Sequence, residues 1–276
     1  MLLKVVFGFM LLCVGALYGR GWWRLYRIGH PPRRWRLALY GLGLAALAAA
    51  LLSPIDDLAD QLFPMHMVQH LLLTMLAAPL ILLGNPFPVV LWGVSRRARH
   101  WLAAPFTTGA RLRTALGVLT ALPIAWLVYV VDLWAWHVPL LYQAALEHEV
   151  VHVVEHIAFF ATALVFWFPI VRPAPRLGPR APLGFELFYL LAATAQNTAL
   201  GAMLTLPERS FYPYYDETAR RLAVNAAEEQ AAAGGLMWIS GHMYLLPILV
   251  MLYNFSQRSA DSDAQELAAS RKLAER

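Results

Sequence analysis

Three histidines recur at four-residue intervals in the segment EHEVVHVVEH, residues 147–156. They are His148, His152 and His156, and Glu155 directly precedes the last of them. Four residues advance an α-helix by about 400°, so the three imidazoles would form one narrow stripe on a helix. Neutral imidazole is a common ligand for Cu, Zn, haem iron and Ni, and the residues that follow the stripe are mostly apolar. The pattern predicts a metal site on a hydrophobic helix.

Two other apolar segments carry histidines. The segment LFPMHMVQH places His66 and His70 four residues apart, and GGLMWISGHM contains His242. At about 1.5 Å per residue, His70 and His156 would lie roughly 12 Å inside their helices and His242 roughly 16 Å. An unpaired ionisable group at such depth costs about 2.5–3.5 kcal/mol on insertion scales, so such groups are normally paired or functional. We predict that His70, His156 and His242 are the primary ligands, with His66 and His152 chelating beside them.

Softer donors and carboxylates accompany these histidines. Cys13 is the single cysteine, which excludes a metal cluster held by several thiolates. A set of imidazole ligands without cysteine suits Cu or Zn. Methionine thioethers select Cu(I), although methionine also fills gaps in ordinary cores. The candidate access or accessory ligands are His148, His137, Met65, Met67, Met237 and Met243. Glu155 and Asp132 are expected to accept hydrogen bonds from ligand imidazoles and to orient them, and an ion pair with a protonated histidine is the alternative.

The composition indicates a membrane protein. Hydrophobic residues make up 59% of the 276 residues and charged residues 14%, and the mean hydropathy is +0.52. A soluble domain carries about 25% charged residues. Apolar runs long enough to cross a hydrocarbon layer of about 30 Å recur along the chain. We predict an all-α bundle of seven transmembrane helices at residues 2–19, 36–53, 62–83, 115–136, 148–171, 184–206 and 231–253.

Basic residues alternate between the loops. Arginines concentrate after the first, third and fifth spans, whereas the loop SPIDDLADQ after the second span carries only acidic charges. Basic loops stay in the cytoplasm, so the topology is predicted as N-out and C-in, with the histidine-rich ends outside. The formal charge of +5 therefore reflects topology and not nucleic-acid binding. Residues 1–253 are predicted to form one membrane domain and residues 254–276 a polar cytoplasmic tail, and Pro86 and Pro88 suggest a short interfacial or re-entrant segment in the third loop.

Three stretches resemble the multi-span CtaG family of assembly factors for caa-type cytochrome c oxidase. They are MHMVQHLLLTMLAAPLILLGNP, WHVPLLYQAALEHEVVHVVEH and GGLMWISGHMYLLP, and the likeness covers residues 62–253. The resemblance implies a bacterial plasma-membrane protein that helps to assemble haem–copper oxidase, by supplying or inserting copper. It also implies oxidase subunits as partners and an extracytoplasmic copper donor. The family's histidines map by motif position onto His66, His70, His137, His148, His152, His156 and His242.

The residues leave four functional hypotheses open. The favoured one is a copper-handling assembly factor that is not an enzyme. The alternative is a membrane redox protein that binds haem b between two imidazoles on facing helices. A copper or proton-coupled transporter is a third hypothesis, although the inner halves of the spans lack a matching ladder of polar residues. Hydrolytic zinc chemistry is least favoured, because HVVEH differs in order from the HExxH motif, although Glu155 could serve as a base.

Overall fold

The computed structural model describes residues 2–216 and 225–257, and the secondary structure of these residues is helical. The helices in chain order are α1 (Leu2–Arg27), α2 (Arg34–Leu52), α3 (Pro54–Ala59), α4 (Phe63–Leu83), α5 (Pro86–Gly93), α6 (Arg96–Ala103), α7 (Arg111–Leu119), α8 (Leu122–Trp136), α9 (Pro139–Glu147), α10 (Glu149–Val171), α11 (Leu183–Thr205) and α12 (Ala226–Gln257). The predicted all-α class is confirmed. Helix α4 contains a π-helical stretch, Leu72–Ala77, and α12 contains a 3-10 turn, Gly241–Tyr244.

The number of spans agrees with the prediction when one bent helix pair is taken as a single span. Helices α1, α2, α4, α10, α11 and α12 are each long and apolar enough to cross a membrane. The predicted fourth span is divided into α7 and α8, which meet at an angle of 68°. Pro123 has no N–H to donate to the carbonyl of Leu119, so the helix ends there and restarts at Leu122.

The two ends of the chain differ from the predicted bounds. Helix α1 continues eight residues past the predicted end of the first span, through the arginine-containing stretch to Arg27 (27 − 19 = 8). Helix α12 runs to Gln257, so the first part of the predicted tail is a continuation of the last span. The remainder of that tail, residues 258–276, lies outside the described residues.

The third loop contains the short helix expected from its prolines. Asn85 adopts a left-handed conformation (φ 51°) that reverses the chain after α4. Helix α5 then packs antiparallel to the end of α1, where a Cβ on Gly21 would stand 1.8 Å from the carbonyl oxygen of Val89. A Cβ on Gly93 would similarly meet the carbonyl oxygen of Leu17 at 2.2 Å. Both glycines are therefore required for this close backbone contact, which holds α5 beside α1. The interfacial or re-entrant position of this segment stays a prediction.

The largest core cluster lies between α4, α8, α10, α11 and α12. It is dominated by aromatic side chains, and its fully buried members include Phe63, Tyr129, Phe166 and Tyr244. Tyr244 on α12 donates a hydrogen bond to the Tyr129 hydroxyl on α8 at 3.0 Å. This packing fixes the relative positions of α4 and α10, which carry the histidine pairs.

Candidate metal centre

The two predicted histidine pairs face each other across the contact between α4 and α10. The ring centroids of His66 and His70 on α4 are 4.3 Å apart, and those of His152 and His156 on α10 are also 4.3 Å apart. Across the contact, the His66 and His152 rings stack at 5.2 Å, and the His70 and His156 rings lie at 5.6 Å. Four imidazoles from two helices thus form one compact cluster, in which each pair has the four-residue spacing seen in the sequence.

Glu155 lies at the centre of this cluster. Its side chain is fully buried, and its Oε2 atom lies 3.5 Å from Nε2 of His66 and 3.7 Å from Nε2 of His70. Potential ligand atoms of His66, His70 and Glu155 lie within 4.8 Å of one another, and so do those of His152, Glu155 and His156. The two groups share the carboxylate. Glu155 is therefore placed as a candidate ligand itself, whereas the sequence suggested only an orienting role for it.

Most polar atoms of the cluster are buried without a hydrogen-bond partner among the described residues. They are both ring nitrogens of His66 and of His70, Nε2 of His152 and of His156, and both carboxylate oxygens of Glu155. The two contacts of Glu155 with α4 are longer than the 2.7–3.2 Å typical of N–H···O hydrogen bonds. Leaving a buried polar group unsatisfied costs about 1–3 kcal/mol, and native proteins contain few such groups. A metal ion coordinated by these nitrogen and oxygen atoms would account for so many unpaired polar atoms in one place.

A π-helical stretch follows the α4 histidines directly. Pro79 has no N–H to donate within the helix, and the preceding stretch Leu72–Ala77 adopts the wider π geometry. The carbonyl of Thr74 is free to accept a hydrogen bond from the Trp167 indole at 2.9 Å. This bond ties α4 to α10 just beyond the histidines. The proline was the available sequence signal, but the π stretch and the role of Trp167 were not predicted.

An aromatic cap closes the end of the cluster. The His66 ring lies 5.1 Å from that of Tyr142 on α9, which packs against Tyr212 at 4.3 Å. Phe63 stacks on Tyr215 at 4.9 Å, and the Tyr215 hydroxyl donates to the carbonyl of Ala59. Burial raises the pKa of Tyr142 and of Tyr215 well above 10, so both remain neutral phenols. The aromatic segment SFYPYY in the last loop was the signal for this cap, and sequence reasoning missed it.

A narrow cavity adjoins His70 on the side away from His66. It is lined by His137, Met67 and Met237, together with residues of α8 and α11. The Nδ1 atom of His137 lies 2.7 Å from the carbonyl oxygen of Leu133, an arrangement in which Nδ1–H donates and Nε2 keeps its lone pair. That Nε2 is buried without a partner among the described residues. His137, Met67 and Met237 thus lie together beside His70, and their role as accessory ligands stays a prediction.

The structure does not bring His242 into the cluster, which corrects its predicted placement. Helix α12 faces the bundle through Met237, Gly241 and Tyr244, all of which are buried. His242 follows Gly241 by one residue within the 3-10 turn, so it points roughly 120° away and is exposed, with Nδ1 near the carbonyls of α12 itself. Met243 is 39% exposed for the same reason. Similar depth along three spans predicted a shared site, but His242 lies on the face of α12 that is turned away from the cluster.

Three other predicted residues lie at the periphery. His148 is exposed at the start of α10, and Met65 is half-buried beside His66 in the chain. Asp132 accepts hydrogen bonds from Trp136 at 3.1 Å and from Thr162 at 2.8 Å, and from no histidine in the part of the chain that the structure describes. Its predicted orienting role toward the ligands is therefore not supported by the geometry. Asp132 instead joins α8 to α10.

Fold and site together define a multi-pass membrane protein with a buried histidine–carboxylate centre between two spans. The sequence model of the cytochrome c oxidase caa3 assembly factors, Caa3_CtaG, matches residues 16–258. The chain belongs to this family. The match begins within α1, so it covers the second half of the first span and all of the second span, as well as the stretches that carried the resemblance.

Two mycobacterial proteins are similar to the chain at low sequence identity. Uncharacterized proteins from Mycobacterium bovis and Mycobacterium tuberculosis are each 24% identical to the chain over 254 residues. The matched region covers 88% of this chain and 37% of each relative, so the chain spans little more than a third of their length. No solved structure matches the chain significantly.

Proposed function

We propose that this assembly factor binds copper at His66, His70, His152, His156 and Glu155 and passes it to the oxidase. The observation that carries the proposal is the concentration of buried donor atoms without hydrogen-bond partners between α4 and α10. Membership of the caa3 assembly family supplies the biological context, since a haem–copper oxidase requires copper as well as haem. The role is one of delivery and does not require catalysis by this chain.

The donor set favours particular metals. Imidazole suits Cu and Zn, and Cu(II) binds nitrogen and oxygen donors most tightly among divalent first-row ions. The thioethers of Met67 and Met237 lie beyond His70, where they suit Cu(I). Copper therefore matches both parts of the site better than zinc does. Because the two ligand groups share Glu155, the cluster has donors for one ion or for two ions bridged by the carboxylate.

Burial along α10 supports a route into the site. His148 is exposed, His152 is half-buried, and His156 is 7% exposed, each one helical turn further along the same face. A metal ion can exchange from one imidazole to the next along this stripe. The loops at the other end of the spans are basic, so the positive-inside rule favours an extracytoplasmic position for the stripe in a bacterial plasma membrane. An extracytoplasmic copper donor would then load His148 first.

Metal analysis of the purified full-length protein tests this proposal. After incubation with copper and desalting, we expect stoichiometric copper in the wild type and in His242→Ala. A variant with both His70→Ala and His156→Ala should lose nearly all of it, because each ligand group then loses an imidazole. Unchanged copper in the double variant would refute the site, and equal loss in His242→Ala would refute its geometry.

The same preparation separates copper from haem b. Glu155 lies between the α4 and α10 imidazoles, within 4 Å of both His66 and His70, so a macrocycle inserted there would have to displace its carboxylate. A Soret band that disappears in the double variant would favour haem binding over copper binding. A copper-containing, haem-free protein agrees with the proposal.

A further inference from the structure

A second cleft lies at the opposite end of the bundle from the histidines. It has a volume of about 420 Å³ and is lined by the ends of α7 and α10 and by the proline-rich loop at residues 172–182. Three arginines of that loop, Arg172, Arg176 and Arg180, border it. Helices α10 and α11 are both long enough to span a membrane, so the loop that joins them lies at the membrane surface.

The cleft continues into an apolar groove along the side of the bundle. This groove has a volume of about 740 Å³ and is lined by residues of α8 and α11, among them Trp126, Phe185 and Phe188. Leu122, Pro123 and Ala181 border both cavities, so the two are contiguous. The 68° bend between α7 and α8 opens the space at their junction. A molecule that fits both must have a polar end at the surface and a long apolar part inside the membrane.

The charge at the polar end is not neutralised by the protein. Arg180 forms a two-bond ion pair with Glu186, at 3.2 and 3.1 Å. Among the described residues, neither Arg172 nor Arg176 has a carboxylate within ion-pair distance. Two positive guanidinium groups therefore face the cleft without counter-charge. Guanidinium groups recognise phosphate through paired N–H donors.

The backbone at Arg172 is a further sign that its side chain is needed. Arg172 ends α10 in the left-handed region, with φ 54° and ψ 53°. Glycine is the usual residue at such a helix end, because a residue with a Cβ is strained there. Arg172 is therefore in a strained backbone conformation, and its guanidinium lies at the mouth of the cleft. Such outliers cluster at ligand sites.

We propose that this cleft and groove bind an anionic phospholipid. Its phosphate would lie between Arg172 and Arg176, and one acyl chain would follow the groove between α8 and α11. Basic pockets between transmembrane helices are suited to anionic headgroups in this way. A zwitterionic lipid lacks the net charge that two unpaired arginines select, and free phosphate would leave the apolar groove unused.

Native mass spectrometry of the detergent-purified protein tests the proposal with defined lipids. Phosphatidylglycerol should remain bound at higher collision energy than phosphatidylcholine, and its apparent affinity should be about 25-fold higher, given roughly fivefold for each of the two arginines. The variant Arg172→Gln with Arg176→Gln should abolish this preference. Ala192→Phe, which fills the groove and leaves the charges, should weaken both lipids.

Matched controls make the result decisive. Arg96→Gln with Arg97→Gln removes the same charge from exposed arginines of α6, outside the cleft, and should keep the preference. If it lowers the preference as much as the cleft variant does, the site is wrong and net charge alone is responsible. Inorganic phosphate that displaces phosphatidylglycerol at equal concentration would also overturn the proposal, as would equal retention of both lipids. Should the cleft variant fold poorly, Arg176→Gln alone changes only an exposed side chain and should reduce the preference severalfold.

Discussion

Two of the helix contacts among the described residues contain buried polar side chains that serve different purposes. Between α11 and α12, Asn197 donates to the carbonyl of Met237 and Gln230 donates to that of Leu204 at 3.1 Å. Within α12, Ser240 donates to the same carbonyl of Met237 at 2.8 Å. Between α4 and α10, the ring nitrogens of His66 and His70 have no such partner among the described residues. The polar side chains of the α11–α12 contact form hydrogen bonds that hold the two helices together. The imidazoles of the α4–α10 contact remain available for a ligand.

The two contacts also differ in how closely their backbones approach. A Cβ on Gly201 of α11 would stand 2.7 Å from the backbone nitrogen of Trp238, and one on Gly234 of α12 would stand 2.7 Å from that of Thr205. Small residues permit this approach, which is a common basis of helix association in membranes. The α4–α10 contact is instead filled by imidazole and aromatic rings. Polar residues in a membrane bundle therefore indicate a ligand site only when their bonding is incomplete.

The largest loss of stability is expected from a larger side chain in the close contact between α11 and α12. Gly201→Leu would place side-chain atoms against the α12 backbone and should destabilise the protein by about 3 kcal/mol, measured by thermal unfolding in detergent. Gly235→Leu is the matched control, because a Cβ there meets nothing within 4 Å, and it should leave the melting temperature nearly unchanged. Equal effects of the two variants would mean that the close contact is not a source of stability.

A copper-dependent difference should follow at the other contact. At a free copper concentration about a hundred times the Kd, binding should stabilise the wild type by about 2.7 kcal/mol. His70→Leu removes one ligand and should lose most of this stabilisation, as measured by thermal unfolding with and without copper. Asn197→Leu lies outside the cluster and should retain it. A full copper response in His70→Leu would show that the α4–α10 contact does not bind the metal.

Without copper, Asn197→Leu should lower the free energy of unfolding more than His70→Leu does. Asn197→Leu breaks a hydrogen bond between helices and leaves the Met237 carbonyl with one donor fewer, which should cost about 1 kcal/mol. His70→Leu removes ring nitrogens that have no partner among the described residues and should cost less or even stabilise the metal-free protein. Unfolding in the presence of a chelator measures both. A larger loss in His70→Leu than in Asn197→Leu would indicate that the imidazole serves the fold.

The smallest effect is expected at His242. Because this side chain is exposed on α12, His242→Ala should change metal-free stability by less than about 0.5 kcal/mol. The measurement is thermal unfolding in chelator, beside the wild type. A pronounced loss of stability would place His242 in a contact that its position on α12 does not provide.

Local patterns in the sequence were sufficient for most of the fold. The spans predicted at 62–83 and 148–171 correspond to Phe63–Leu83 and Glu149–Val171, because a long apolar run is a property of the segment itself. The bend before Leu122 was missed, since a proline near the middle of an apolar run is compatible with a kinked span or a broken one. The aromatic cap was missed because loops carry no periodicity that predicts their contacts.

The sequence by itself determined that His66 pairs with His70 and His152 with His156, because four-residue spacing on a helix places side chains on one face whatever surrounds them. Only the tertiary structure decided which faces meet. Backbone contact through Gly201 and Gly234 fixes the rotation of α12, and that rotation directs His242 to the outside. The contact between α4 and α10 places Glu155 at the centre of the cluster and not at the flank of the stripe, and its burial among unpaired imidazoles makes it a candidate ligand.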